Sequence, residues 1–373
     1  MKKGDIPFFG LDRQYATHKN KFLEIANEAL SSGQVLQGPA VEAFEGKLAA
    51  LCGRRFARAV GSCTDALAFA MICCGVNPGD EVLVTAFSFA ASVSPIIRLG
   101  AVPVFVDIEP KFFMMDLADA EKKATPRTKF LLAVHLFGQC LDAPEVEKFA
   151  ARHGLKIIED AAQALGSSFA GKPAGSLGEA SCVSFDPTKV VGAFGSGGAV
   201  LTDSPGIAAR VGRLRYHGKD PASGEFVELG YNSQLSTESA AMLAFKLDQL
   251  PQWAVRRGAV ARRYIAGLGD LPGVVLPALR PGSASNWHKF VVKTERRDEM
   301  KKRLAAEGIQ TMVHYPAPLC DLPYVRDYVK VRAEVPVTRA ISEKTLTLPS
   351  HPELTDSEID RIIAAVRDFE APE

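Results

Sequence analysis

The sequence predicts an α/β protein: a mostly parallel, mixed central sheet with flanking helices, followed by a smaller C-terminal α+β region. Strand-like and helix-like segments alternate through most of the first 250 residues. That rhythm builds a parallel sheet covered by helices on both faces. It changes near residue 180, where SCVSFDPTK (181–189) and GGAVLTD (197–203) read as two short strands joined by a glycine-rich connection. It restarts after about 280, which divides the chain into a large α/β domain over 1–250 and a small α+β domain over 251–373.

The elements follow in order. GPAVEAFEGKLAALC (38–52) carries apolar residues at helical spacing. ARAVGS (57–62) is a short strand and TDALAFAMICCG (64–75) a helix that stops at glycine. NPGDEVLVTAF (77–87) is a turn leading into a strand, and SPIIRLG (94–100) is helical. VPVFVDI (102–108) is rich in β-branched residues, as strands are. KFLLAVHLFG (129–138) is a further strand, APEVEKFAARHG (143–154) a helix, and LKIIEDAA (155–162) a strand. A helical stretch over 236–267 is interrupted at Pro251, where the missing N–H breaks the ladder. WHKFVVKT (287–294), RDEMKKRLAAEG (297–308) and TDSEIDRIIAAVRDF (355–369) supply a strand and two helices.

Composition narrows the function classes. Of 373 residues, 47% are hydrophobic, enough for a large core. The net charge of +1 offers no basic excess for nucleic acid or a membrane surface. Arg256, Arg257, Arg262 and Arg263 fall on one helix and read as a solvated face. The longest apolar run, ALAFAMICC (66–74), is too short to span a bilayer. The first fifteen residues lack a signal peptide's apolar stretch, so a cytoplasmic protein is expected. The seven cysteines show no CxxC spacing and read as reduced, buried thiols, with no metal site.

Four places carry chemistry. Asp160 ends an apolar strand, at the sheet edge where open α/β folds bind ligands; alone, it is equally consistent with a helix N-cap. In VGSCTDALAFA, small residues turn a strand into a helix whose free N–H groups suit a phosphate, although capping by Ser62 or Thr64 explains them too. Phe89 follows the next strand and is placed either to stack on a planar ligand or to fill the core. Lys189 is flanked by Phe185 and by Val190 and Val191. It is either a snorkelling strand-end lysine or a desolvated amine of lowered pKa. One ligand uses all four: pyridoxal phosphate takes an amine, a carboxylate beside its ring nitrogen, a stacking aromatic and a phosphate cradle.

With these residues in place, the sequence resembles the DegT/DnrJ/EryC1/StrS sugar aminotransferases, pyridoxal-phosphate enzymes of fold type I. The resemblance runs from IPFFGLDRQY (6–15) to LPSHPEL (348–354). It is carried by GSCTDAL (61–67), NPGDEVLVTAFSFAAS (77–92), GAVPVFVDIEP (100–110), VHLFGQ (134–139), IEDAAQALGS (158–167), SFDPTKVVGAFGSGGAV (184–200), GYNSQL (230–235) and VHYPAPL (313–319). It implies that Lys189 is the Schiff-base lysine and Asp160 the partner of the pyridinium. Gln163 would lie against the ring and its 3-hydroxyl, and Phe89 would stack on it. Cys63, Thr64 and Ser184 would hold the phosphate. Asn232 would reach the phosphate of a neighbouring subunit, implying a homodimer, and His314 and Tyr315 would face the sugar nucleotide.

The chain departs from the family pattern at Cys63, where glycine or alanine is common, at Gln234, where arginine is usual, and at Cys320, where many members have histidine. The resemblance implies ping-pong transamination from L-glutamate to a nucleoside-diphosphate keto-sugar, through the pyridoxamine phosphate form. GYNSQL looks more like members that aminate C3 than those that aminate C4. A dehydratase on the same fold replaces the lysine by histidine, and Lys189 stands against it. A non-catalytic regulatory protein is the remaining alternative.

Overall fold

The computed structural model describes residues 4–329 and 333–370. Its first half is α1 (Leu11–Ser31), α2 (Pro39–Leu51), β1 (Phe56–Val60), α3 (Cys63–Cys74), β2 (Glu81–Thr85), α4 (Ser94–Arg98), β3 (Val102–Val106), α5 (Leu117–Lys123), β4 (Thr128–Val134), α6 (Ala143–His153), β5 (Lys156–Asp160), β6 (Ser168–Phe169), β7 (Lys172–Pro173), β8 (Ala180–Ser184) and β9 (Gly198–Thr202). There follow α7 (Pro205–Leu214), α8 (Thr237–Leu268), β10 (Ser283–Ala284), β11 (Phe290–Lys293), α9 (Arg297–Ala306), α10 (Pro323–Tyr328), α11 (Pro336–Lys344), β12 (Thr345–Leu348) and α12 (Asp356–Glu370).

The central sheet has seven strands in the order β1-β9-β8-β5-β4-β2-β3. The neighbouring pairs from β8 to β3 are parallel, while β9 runs antiparallel to both β8 and β1. Successive side chains of one strand point to opposite faces. Thus Phe130, Leu132 and Val134 of β4 join a core with α3, while Leu131 and Ala133 join a core on the other side with α6. The same split separates Val200 of β9 from Ala199 and Leu201, which pack with α2 and α8. With both faces covered, the strands are apolar almost throughout, and one direction dominates.

A further core gathers the second half of α8, β11, β12, α9 and α12. β11 and β12 pair antiparallel. The start of the chain closes onto this core: the Ile6 N–H donates to the Gly308 carbonyl at 2.8 Å, and the Gln310 N–H to the Ile6 carbonyl at 3.1 Å. Among the described residues, no helix is long and apolar enough to cross a membrane.

The structure corrects two expectations. Pro251 does not interrupt the helix; α8 runs through it as one element of 32 residues. Pro251 is exposed, and buried Leu247, Leu250 and Trp253 hold the helix in place on either side. The arginines do lie on α8, but Arg257 is buried rather than solvated. Its guanidinium donates to the carbonyls of Trp287, His288 and Ser350.

Candidate active site

Strand direction assembles the site. The strands that run parallel bring residues 61–64 after β1, 88–92 after β2, 160–163 after β5 and 184–189 after β8 to one edge of the sheet. Because β9 runs the opposite way, its beginning, Gly197 and Gly198, arrives at that edge too. There these segments line a cavity of about 550 Å³, closed on the far side by Met312–Tyr315 and Lys289 from the C-terminal region and by Phe9. Nine of the ten residues singled out in the sequence line it: Cys63, Thr64, Phe89, Asp160, Gln163, Ser184, Lys189, His314 and Tyr315. Asn232 does not; it is exposed, on the segment bridged to Tyr216.

Asp160 is buried at the cavity wall. Its Oδ2 accepts from the Ser92 hydroxyl at 2.7 Å and its Oδ1 from the Ala162 N–H at 3.1 Å. Ser92 in turn shares a 2.8 Å hydrogen bond with Ser88. Burial pushes the carboxyl's pKa up; the Ser92 and Ala162 bonds and the nearby Lys189 charge offset only part of this. Lys189 is shifted the other way. Desolvation lowers its pKa, against the attraction of Asp160 and Asp186. Both groups are therefore drawn towards neutrality, and both would gain from a charged or polar ligand between them.

The turn carrying Lys189 is fixed from below. The Lys189 N–H donates to the Asp186 carbonyl at 2.9 Å, and the Ala193 N–H to the Phe185 carbonyl at 2.8 Å. Lys246 of α8 is fully buried; its Nζ donates to the Gly192 carbonyl at 2.6 Å and lies 4.2 Å from the Phe194 ring centroid. Burial lowers its pKa to about 8.

At the start of α3, Ser62 is the N-cap, and its hydroxyl accepts from the Asp65 N–H. The Ala66 N–H goes to the Ser62 carbonyl. The first two N–H groups, of Cys63 and Thr64, have no intrahelical acceptor and stand at the cavity. Capping and ligand binding are thus compatible, because they use different N–H groups. A Cβ on Gly198 would lie 2.5 Å from the Cys63 nitrogen, so only glycine lets β9 pass this close.

Phe89 is 57% exposed, which removes the core-filling reading and leaves its ring at the cavity, 6.5 Å from that of Tyr315. Gln163 joins two walls: its Oε1 accepts from the Phe137 N–H at 3.1 Å and its Nε2 donates to the Tyr315 hydroxyl at 2.9 Å. Burial drives the Tyr315 phenol pKa upward, so it stays protonated. His314 bonds Thr347 Oγ1 through Nδ1 at 2.8 Å, and burial keeps its pKa well below the usual imidazole range. Gln234 accepts from Gln37 at 2.7 Å.

Residues 16–367 match the DegT/DnrJ/EryC1/StrS aminotransferase family. The chain belongs to this family. It is 38% identical over 364 residues to a dTDP-3-amino-3,4,6-trideoxy-alpha-D-glucose transaminase of Streptomyces venezuelae, covering 98% of this chain and 96% of the relative. It is also 38% identical over 363 residues to the erythromycin biosynthesis sensory transduction protein EryC1 of Saccharopolyspora erythraea, covering 97% and 99%. The crystal structure of S. venezuelae DesV in complex with a ketimine intermediate superposes with a TM-score of 0.96 at 37% identity, over 100% of both chains. The protein is an aminotransferase of the pyridoxal-phosphate fold, and its cofactor is pyridoxal 5′-phosphate, which solved relatives hold in its amine form.

The cavity fits that cofactor on its own terms. It offers a desolvated amine, a buried carboxylate whose neighbours offset only part of its burial, two free N–H groups at a helix start, and an exposed aromatic face. Sequence reading missed Ser92, which orients Asp160, and Lys289. Ser92 left a faint signal, three residues beyond Phe89, whereas Lys289, directly before FVV, reads as an ordinary strand lysine.

The glycine contact gives a prediction for this aminotransferase. Gly198→Ala should force the first turn of α3 outward and weaken cofactor binding by about tenfold, roughly 1.4 kcal/mol. Gly195→Ala, where a Cβ meets nothing within 4 Å, should bind as wild type. Cofactor retained after dialysis, read by absorbance, decides between these outcomes.

Proposed function

We propose that this aminotransferase moves the amino group of L-glutamate onto the 3-keto carbon of a nucleoside-diphosphate sugar, for polysaccharide, glycan or antibiotic biosynthesis in the cytoplasm. The observation that carries this reading is the convergence of Lys189, Asp160 and the open start of α3 on one cavity that adjoins a second cleft of about 890 Å³. The two share Phe9 and Met312, so there is room beyond the cofactor for a substrate as long as a sugar nucleotide. The C3 position is supported by the 3-amino product in the Streptomyces relative's name and by the NSQ form of GYNSQL.

In this reading the chain divides into a large body, 1–250, that holds the cofactor and a smaller one, 251–373, that faces the sugar. Lys189 would anchor the cofactor through Nζ, Asp160 would oppose its ring nitrogen, Phe89 and Gln163 would hold the ring, and Cys63, Thr64 and Ser184 would receive its phosphate. When bound, pyridoxal phosphate supplies an electron sink and carries the amino group between the two half-reactions. Lys189, whose pKa burial lowers, would act at Nζ as the base that takes the proton from the donor's α-carbon in one half-reaction and as the acid that supplies one to the acceptor carbon in the other. Asp160 opposes the positive charge of the ring nitrogen, where low local dielectric makes that charge count. His314 and Tyr315 meet the sugar.

The site is completed by a second copy of the chain, with Asn232 reaching the partner's phosphate. Supporting this, Phe226, Val227, Leu229 and Tyr231 lead up to Asn232 as exposed apolar residues, Leu229 at 90%. Such a strip on a single chain marks a surface that is covered in the assembly. A regulatory, non-catalytic reading is favoured by names alone, those of the Saccharopolyspora relative and of a Geobacillus stearothermophilus relative called a pleiotropic regulatory protein. Turnover of 3-keto and 4-keto nucleotide sugars with L-glutamate, with the product's regiochemistry read by NMR, tests the proposal. We expect the 3-amino sugar; a 4-amino product or no turnover of either sugar overturns it.

A further inference from the structure

Among the described residues, two lysines and no arginine line the cavity. Lys189 is committed to the cofactor, which leaves Lys289. It is the residue before β11, 6% exposed, with its side chain at the cavity wall. Its Nζ makes no hydrogen bond or ion pair among the described residues; it lies 5.6 Å from the Phe8 and 5.7 Å from the Phe9 ring centroids. A buried ammonium without an anion is costly, and such groups are normally paired. Here the partner is missing from the protein itself.

From the reading of the site as an aminotransferase that takes an amino-acid donor, we infer that Lys289 is the anchor for the donor's α-carboxylate. The argument is one of connectivity. In an α-amino acid the carboxylate and the amine share one carbon, so a donor whose amine reaches the Lys189 region must place its carboxylate close by. Among the described residues Lys289 is the remaining lysine of that cavity, close enough to Lys189 for that charge to lower its pKa. A carboxylate there receives charge-assisted N–H bonds in a site shielded from water.

The surroundings explain how the site tolerates an empty anchor. Lys289 faces Lys189, Arg257 of α8, His288, His314 and Asp186. Burial, and then the charges of Lys189 and Arg257, bring its pKa down to about 7, with Asp186 opposing. Burial, and then the charges of Lys289 and Lys189, lower the pKa of His288 and of His314. Above pH 7 the empty site is therefore largely uncharged at Lys289, and an arriving carboxylate restores the ammonium. Donor binding then takes up a proton.

The test uses the holoenzyme without any sugar. Mixing it with L-glutamate converts the bound cofactor to its amine form, followed by absorbance. Lys289→Met should raise the half-saturating glutamate concentration roughly thirtyfold or more, and Lys289→Arg should restore most of it. The reaction of the amine form with a keto-sugar nucleotide whose sugar bears no carboxylate should change far less in Lys289→Met. An unchanged glutamate half-saturation, or an equal loss in both half-reactions, overturns the inference, as does loss confined to the sugar nucleotide, which would assign Lys289 to the diphosphate.

Calorimetry of glutarate binding to wild-type holoenzyme at pH 8, in buffers of different ionisation enthalpy, supplies a readout independent of turnover and of any variant. Net proton uptake is expected, and its absence overturns the inference. If glutarate binds with proton uptake but glutamate brings no conversion, the aminotransferase reading of the donor fails while the carboxylate anchor stands.

Discussion

Replacing Lys189 by alanine should abolish amino transfer, with a loss of roughly four orders of magnitude or more. The size of the effect follows from position. Lys189 ends the strand–turn segment at the edge where β5 delivers Asp160, and among the described residues no lysine besides Lys289 reaches the cavity. Lys289 belongs to the opposite wall and is occupied by substrate in the reading given above. The variant should still fold and still bind the cofactor, because the start of α3, Asp160 and Phe89 are untouched. Its bound cofactor should lose the absorbance near the visible edge that a covalent link to lysine produces. Single-turnover mixing with L-glutamate is the decisive measurement. If amino transfer survives at a comparable rate, the protein has another base and the site is misassigned. If the wild type itself binds cofactor but never turns over, the regulatory reading gains.

Asp160→Asn should give the second largest effect, a fall in turnover of about two to three orders of magnitude. It should do so without unfolding the protein. Asp160 accepts from Ser92 and from the Ala162 N–H. An asparagine keeps the second bond through its carbonyl, and its amide donates to Ser92 once that hydroxyl turns to Ser88. The linkage sign adds a signature. Burial holds the folded-state pKa of Asp160 above its unfolded value. Such a carboxyl opposes folding once pH rises through the unfolded value, because the native state then hosts a charge it solvates poorly. At neutral pH the cofactor-free Asp160→Asn protein should therefore melt no lower than cofactor-free wild type. With cofactor bound, the order should reverse, since the charge now has its cation. Melting curves of both forms at pH 7 check this; a large drop for the cofactor-free variant would mean Asp160 is chiefly structural.

Much of this was legible in the sequence, for physical reasons. Strands buried on both faces, such as EVLVT and TKFLLAV, announce themselves as apolar runs, and a run that ends in a carboxylate points to the ligand edge. What stayed hidden depends on contacts between distant segments. Helix α1 starts at Gly10 with no side-chain cap and carries a non-helical residue, His18, so its sequence offers weak punctuation. Pro251 reads as a helix breaker, and only packing overrides it. Arg257 reads as surface until the carbonyls of residues 287, 288 and 350 are seen to surround it. Lys289 reads as one more strand lysine, because neither its burial nor its lack of an anion can be inferred without the cavity.

The closure of the first residues onto the C-terminal core bears on how the protein is made. Phe8 donates its N–H to the Gln310 side chain at 3.0 Å, across a separation of 302 residues. On the ribosome, Phe8 is made 302 residues before its partner Gln310 exists. Until then the rings that flank Lys289 have no place to dock, and the wall formed by residues 312–315 has not been synthesised. The central sheet can form during that interval, since its last strand ends at Thr202. The nascent protein thus passes through a stage with a finished floor and an open, apolar-lined mouth.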